Sequence, residues 1–217
     1  SANYFADLHY ETDWERDDGK EILYLWIGTT AYHASADNTL LDCPSGITAQ
    51  NADDLILTSI PLLDCALSSY QLALEANDQF DRPRLGIANV YSTWAQSFTT
   101  PICSLFVDYA VPQLEAVLQY SDEISQATLT NLKALYSIGT NYRDYADCTL
   151  GDDDTVWQQA AISSFDDAFT VGSQLDKTDE VNEIMGRALY QKGLVLSNMG
   201  AINDALSTFT DVITLTD

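Results

Sequence analysis

The chain has 217 residues, 46% of them hydrophobic, and carries 33 acidic against 9 basic side chains for a net charge of −24. That length supports one sizeable core or one continuous stack of repeats, and no run reaches the roughly 18 apolar residues that span a bilayer. So negative a surface repels nucleic acid and anionic lipid, which excludes both as favourable partners.

Asp outnumbers Glu, although Glu is the better helix former. Many Asp residues fall at loops and helix starts, such as Asp53, Asp81 and Asp152 to Asp154. There they cap free N–H groups and oppose the helix dipole. The acidity reads as a solvated surface; Asp152-Asp153-Asp154 lacks the alternating ligands and closing Glu of a calcium loop. Cys43, Cys65, Cys103 and Cys148 form no CxxC pair, so neither zinc nor a redox motif is suggested. Low Lys with abundant Asp, Thr and Ser looks secreted, which makes disulfides the expected state of these thiols.

Residues 1–19 mix Tyr4, Phe5, Tyr10 and Trp14 with acids and show no period. We read them as an N-terminal arm whose aromatics need burial on this subunit or another. The start has neither a basic n-region nor an apolar h-region, which points to a leader already removed. In residues 20–36, Tyr24, Ile27, Gly28, Ala31 and Tyr32 fit one helical face, with Gly28 at a crossing point; His33 follows that face and reads as a satisfied structural residue. A loop holds Cys43, and a helical run from Asp53 to Ala76 is interrupted at Pro61. Its second part sets Ala66, Tyr70 and Ala73 on one face.

Pro83 sits in the first turn of the next helix, whose packed face carries Ile87, Ala88 and Tyr91. Thr100-Pro101 reads as a cap and a helix start. The helix predicted over 101–121 carries Ala110, Leu114 and Val117, and Pro112 must kink or split it. Residues 124–144 align Leu135, Ile138, Gly139 and Tyr142. Thr155 and Gln158 read as a capping box opening a helix with Ala161, Phe165 and Ala168.

The last stretch, Gly186 to Asp217, is the most regular. Leu189, Gly193 and Leu196 share one helical face, and Ala205, Phe209 and Val212 share another, with a tight break at 198–201. Small residues let two helix backbones approach, and large ones fill the space beside them. This segment resembles a tetratricopeptide (TPR) repeat, a helix pair with a period of about 34 residues. The earlier helix pairs match it more loosely. Their second-helix alanines, Ala66, Ala110, Ala161 and Ala205, are spaced further apart than that period.

The expectation is an all-α chain: a right-handed stack of about four TPR-like helix hairpins, an α-solenoid, over 20–217, with the arm in front. The repeats fall at about 20–76, 82–121, 124–172 and 179–215. Three of the four cysteines lie at loops within a helix pair and Cys65 starts a second helix, so Cys43–Cys65 and Cys103–Cys148 need the least chain displacement. The resemblance implies a protein–protein interaction role, with the first helix of each pair lining a groove. Matching positions include Arg82, Asn89, Lys133, Tyr136, Thr140, Arg143, Arg187, Tyr190 and Asn198. The bases among them form either a strip that attracts an acidic segment or simple offsets to neighbouring Asp.

Catalysis has no sequence support. His9 and His33 lack partners at metal-ligand spacing, and there is no GxSxG, GxGxxG or phosphate loop. No metal and no cofactor are therefore expected. The leading expectation is an extracytoplasmic (secreted, cell-surface or periplasmic), non-catalytic protein. It assembles with further copies of itself head to tail, as in a filament, through arm, groove or stack ends. The rivals are a monomeric periplasmic or lipid-anchored TPR adaptor holding a partner peptide, and an all-α enzyme acting on glycans through a carboxylate pair.

Overall fold

A computed structural model describes residues 19–36, 43, 61–98, 100–120, 128–149 and 154–216. Among the described residues there are eight α-helices, one π-helical segment and no strand. The chain is thus all-α. In order, the helices are α1 (Lys20–Ala36), α2 (Pro61–Ala76) and α3 (Asp81–Gln96), then the π-helical segment Leu105–Ala110, α4 (Val111–Tyr120), α5 (Leu129–Thr149), α6 (Asp154–Ser173), α7 (Asp179–Asn198) and α8 (Ile202–Thr216). Residues 1–18 of the arm lie outside the described residues. The chain divides into two compact units, residues 1–94 and 95–217. No linker composition marks that division in the sequence, which read as one domain; it falls in the last turn of α3.

In the first unit, α1 packs along α2. Gly19, with φ 107°, lets the chain turn sharply into α1. Pro61 opens α2, where its missing N–H costs nothing. The two helices meet where Tyr70 lies over Gly28: a Cβ on Gly28 would sit 2.7 Å from the ring, and one on Gly86 in α3 only 2.4 Å from it. Tyr70 therefore fills two glycine notches at once. Its hydroxyl donates to Thr29 Oγ1 at 3.4 Å, and burial pushes the phenol up to about 12. Tyr32 and Thr93 share a 2.9 Å hydrogen bond that ties α1 to α3. His33 is exposed and meets the ring of Tyr32 edge-on, centroids 5.7 Å apart.

In the second unit, α5 packs on α6, α6 on α7, and α7 on α8, while α5 also touches α7. Phe165 of α6 fills the notch at Gly139, 2.6 Å from a notional Cβ, and Phe209 of α8 fills that at Gly193, 2.4 Å away. Met185 of α7 occupies a further notch at Gly172. Ala66, Ala110, Ala161 and Ala205, the expected second-helix alanines, are all buried. A core of Leu132, Ile162, Phe165, Val181 and Met185, among others, joins α5, α6 and α7. Thr178 caps α7, its side chain accepting from the Val181 N–H at 3.2 Å. Gly200, with φ 78°, makes the turn into α8.

Two local expectations need correction. The helix read over 101–121 does not start at Pro101; it starts near Ser104 as a π-helical turn, and α-helical geometry resumes at Val111. The Val111 N–H reaches back five residues to the Phe106 carbonyl. Pro112, which cannot donate, thus enters just after a wider turn that has already shifted the register. Likewise α6 begins at Asp154, so Thr155 lies inside the first turn rather than capping it.

Both expected disulfides are present. Cys43–Cys65 has a Cα–Cα distance of 5.7 Å, and Cys103–Cys148 one of 5.8 Å. The second ties the turn before the π-helical segment to the end of α5.

Candidate interaction surface

The sequence-predicted groove residues fall into three environments. Arg82, Asn89, Arg187, Tyr190 and Asn198 are exposed. Lys133, Tyr136 and Thr140 are half-buried on α5. Arg143, also half-buried, is held in a network: its Nε donates to Asp144 Oδ1 at 2.8 Å, a second guanidinium nitrogen reaches the same oxygen, and a third reaches Gln191 of α7. Gln96 Nε2 donates to the other Asp144 oxygen at 2.8 Å.

Three further bases of this unit are also paired. Lys133 meets Glu180 of α7 at 2.6 Å, Arg187 meets Glu183 one turn earlier at 2.6 Å, and Lys192 meets Asp166 of α6 at 2.6 Å. These bases offset local acids. Three of the contacts, made by Lys133, Arg143 and Lys192, pin α7 across α5 and α6. That role leaves little of a free positive strip. In the first unit, Arg82 makes no hydrogen bond or ion pair among the described residues.

Four carboxylates are held above the ordinary value of 3.8. Burial raises Asp144, overriding the lowering by Arg143; burial likewise raises Asp64, Asp81 against the pull of Arg84, and Asp167, which also faces Asp166. Between 3.8 and these raised values the folded chain binds more protons than the unfolded one, so stability rises as pH falls through that window and drops as pH climbs out of it. Self-repulsion at net −24 acts in the same direction. Thermal melts should accordingly give a higher midpoint at about pH 4, just above the unfolded-state value, than at about pH 7; a lower midpoint at the acid end contradicts this.

The open surface lies on α7 and α8. Tyr190, Ile202, Leu206 and Ile213 are all exposed. Ile202, Leu206 and Ile213, with half-buried Phe209 between them, recur at helical spacing and form one ridge along α8. Tyr190 joins this ridge through a ring contact with Phe209, centroids 5.8 Å apart. Beside it Asp179, Glu183, Gly186, Arg187, Val212 and Leu215 border an open concavity of about 510 Å³. No family model, curated protein or solved structure matches this chain.

The ridge gains meaning from the hairpin before it. Gly139 and Gly193 serve the same purpose, each admitting a Phe. Counting back from them, Tyr136 and Tyr190 stand at the same place and make the same ring contact, to Phe165 and Phe209. Counting along the second helices from those Phe residues, Leu206 corresponds to Ile162 and Ile213 to Phe169. Ile162 is 6% exposed, because α7 covers it, whereas Leu206 is 61% exposed. The sequence reading missed Leu206 and Ile213 as surface residues. Their signal was present: the inner face of α8 is already supplied by Ala205, Thr208 and Val212, so the second apolar stripe, with Leu206 and Ile213, is left exposed.

Among the described residues no helix is long and apolar enough to cross a membrane.

Proposed function

We propose that this chain is a non-catalytic protein–protein interaction and assembly protein built of TPR-like hairpins. Its partner is further copies of itself, and it works outside the cytoplasm. The uncovered apolar face of α7 and α8 carries this reading. An apolar stripe of this kind marks an interaction surface when it is contiguous and bordered by polar residues, and repeat hairpins bury such a face on the next hairpin. The Gly–aromatic contacts at Gly28, Gly139 and Gly193 support the resemblance to TPR hairpins. The two disulfides support an oxidising location.

A double substitution, Leu206→Asp with Ile213→Asp, tests the reading. It removes roughly 3 kcal/mol of apolar burial from an interface, about a hundredfold or more in association constant. Light scattering should show the original chain in multi-chain species and the variant as single chains, with helical circular dichroism unchanged. Equal masses for the two overturn the reading.

A further inference from the structure

We infer that the α8 ridge of one copy packs against the same ridge of a second copy, antiparallel across a twofold axis, so that two chains form a closed pair; this rests on the assembly reading above. Ile202, Leu206 and Ile213 are each more than half exposed. With Phe209 they lie along one side of a helix of 15 residues, about 22 Å long. The ridge is nearly symmetric about its own middle. In the antiparallel arrangement Ile202 of each copy meets Ile213 of the other, and Leu206 meets Phe209. Every contact is then made twice.

What borders the ridge favours its burial. Asp204 and Asp211 are the only charged residues of α8, and helical spacing puts both on the side away from the ridge. Asn203, Thr210 and Thr214 come next to the ridge instead. The Thr210 hydroxyl donates to the Leu206 carbonyl at 2.9 Å, and that of Thr214 to the Thr210 carbonyl at 3.2 Å. These two hydroxyls keep their bonds when water is excluded, so covering them leaves no donor unsatisfied. In a chain of net −24, close approach of a second copy needs faces free of acid, and the ridge brings none.

Charge also sets the direction. The concavity beside Val212 and Leu215, at the end of α8, is bordered by Asp179 and Glu183 from the start of α7. The other end of the hairpin, residues 191–203, contains no acid. A parallel pair would set Asp179 and Glu183 of the two copies side by side. The antiparallel pair places them beside the acid-free end of the other copy, and it runs the two helix dipoles head against tail. A contact of this kind closes on itself, whereas the head-to-tail joining expected from the sequence would continue.

Sedimentation equilibrium of the unaltered chain tests closure. Its average mass should level off at twice the 24.0 kDa of one chain. A mass that keeps climbing overturns the twofold pair while assembly stands; a single chain at every concentration overturns both. Mixing Ile202→Cys and Ile213→Cys chains with a short bis-maleimide, native bridges intact, tests direction. Residue 202 of one copy stands about 16 Å along the axis from residue 202 of the other, so the mixture should yield about ten times the two-chain product of either variant alone. Comparable product from one variant alone, or none from a mixture that sediments as pairs, overturns the antiparallel contact. So does loss of pairs in an Ile22→Asp, Trp26→Asp variant, whose α8 is unchanged. Should a Cys variant lose its helical signal, Asn203→Cys mixed with Thr214→Cys repeats the test at the border of the ridge.

Discussion

Replacing Cys103 and Cys148 together by Ser lowers stability by about 4 kcal/mol, the largest effect expected of any change considered. The bridge closes a loop of 45 residues, and a cross-link acts mainly by restricting the unfolded chain, more strongly for longer loops. The loop is also local to its purpose: it fastens the turn before the π-helical segment to the end of α5. A π-helical turn is an unfavourable geometry, and here it precedes a Pro that cannot donate. The Cys43–Cys65 bridge of the first unit spans only 22 residues, so its removal costs less, about 3 kcal/mol. Urea denaturation of the two variants checks both values and their order. A loss under about 1 kcal/mol for the longer loop would show that the unfolded chain is already constrained there.

Two glycines separated by 47 positions should respond in opposite senses to Ala. At Gly139 a Cβ would stand 2.6 Å from the ring of Phe165, which is 1% exposed and has nowhere to move. Overpacking of this kind costs about 1–3 kcal/mol, more than the roughly 1 kcal/mol that Ala gains over Gly in a helix. At Gly186 the nearest atom, on Leu215, is 3.9 Å away. That is ordinary contact, so Gly186→Ala should stabilise the chain by about 0.5–1 kcal/mol. Gly193→Ala falls between, because Phe209 is only half-buried and its ring can give way toward solvent. Chemical denaturation of the three variants measures the order. A stabilised Gly139→Ala would mean that the Phe165 ring does not fill the Gly139 notch in the folded chain.

The glycine and alanine positions explain how much of the fold was legible. A helix crossing needs a small residue on one side and a large one on the other, and this pairing is written locally, so Gly28, Gly139 and Gly193 could be read with Tyr70, Phe165 and Phe209. Gly86 and Gly172 were missed because each receives a side chain from a different hairpin, Tyr70 and Met185, and nothing local announces that contact. Pro112 announced an interruption, but how the backbone absorbs it depends on the Phe106 carbonyl and the wider turn. The disulfides followed from loop positions.

The candidate surface was less legible. Arg143 and Asp144 are adjacent in sequence, yet the neutralising network also needs Gln96 and Gln191. The Lys133–Glu180 and Lys192–Asp166 pairs are long-range, so a strip of bases on paper became a set of local offsets. The arm aromatics Tyr4, Phe5, Tyr10 and Trp14 fall outside the described residues. Ile202, Leu206 and Ile213 stood out only once the covered Ile162 supplied the comparison.

Sedimentation equilibrium of the unaltered chain across a wide concentration range tests the central claim most directly. Because each copy carries net −24, salt should promote joining by screening repulsion between copies. The account predicts an average mass that climbs above 24.0 kDa with concentration, and climbs sooner in 1 M salt than in 0.1 M. A single species of 24.0 kDa at every concentration and salt would contradict it.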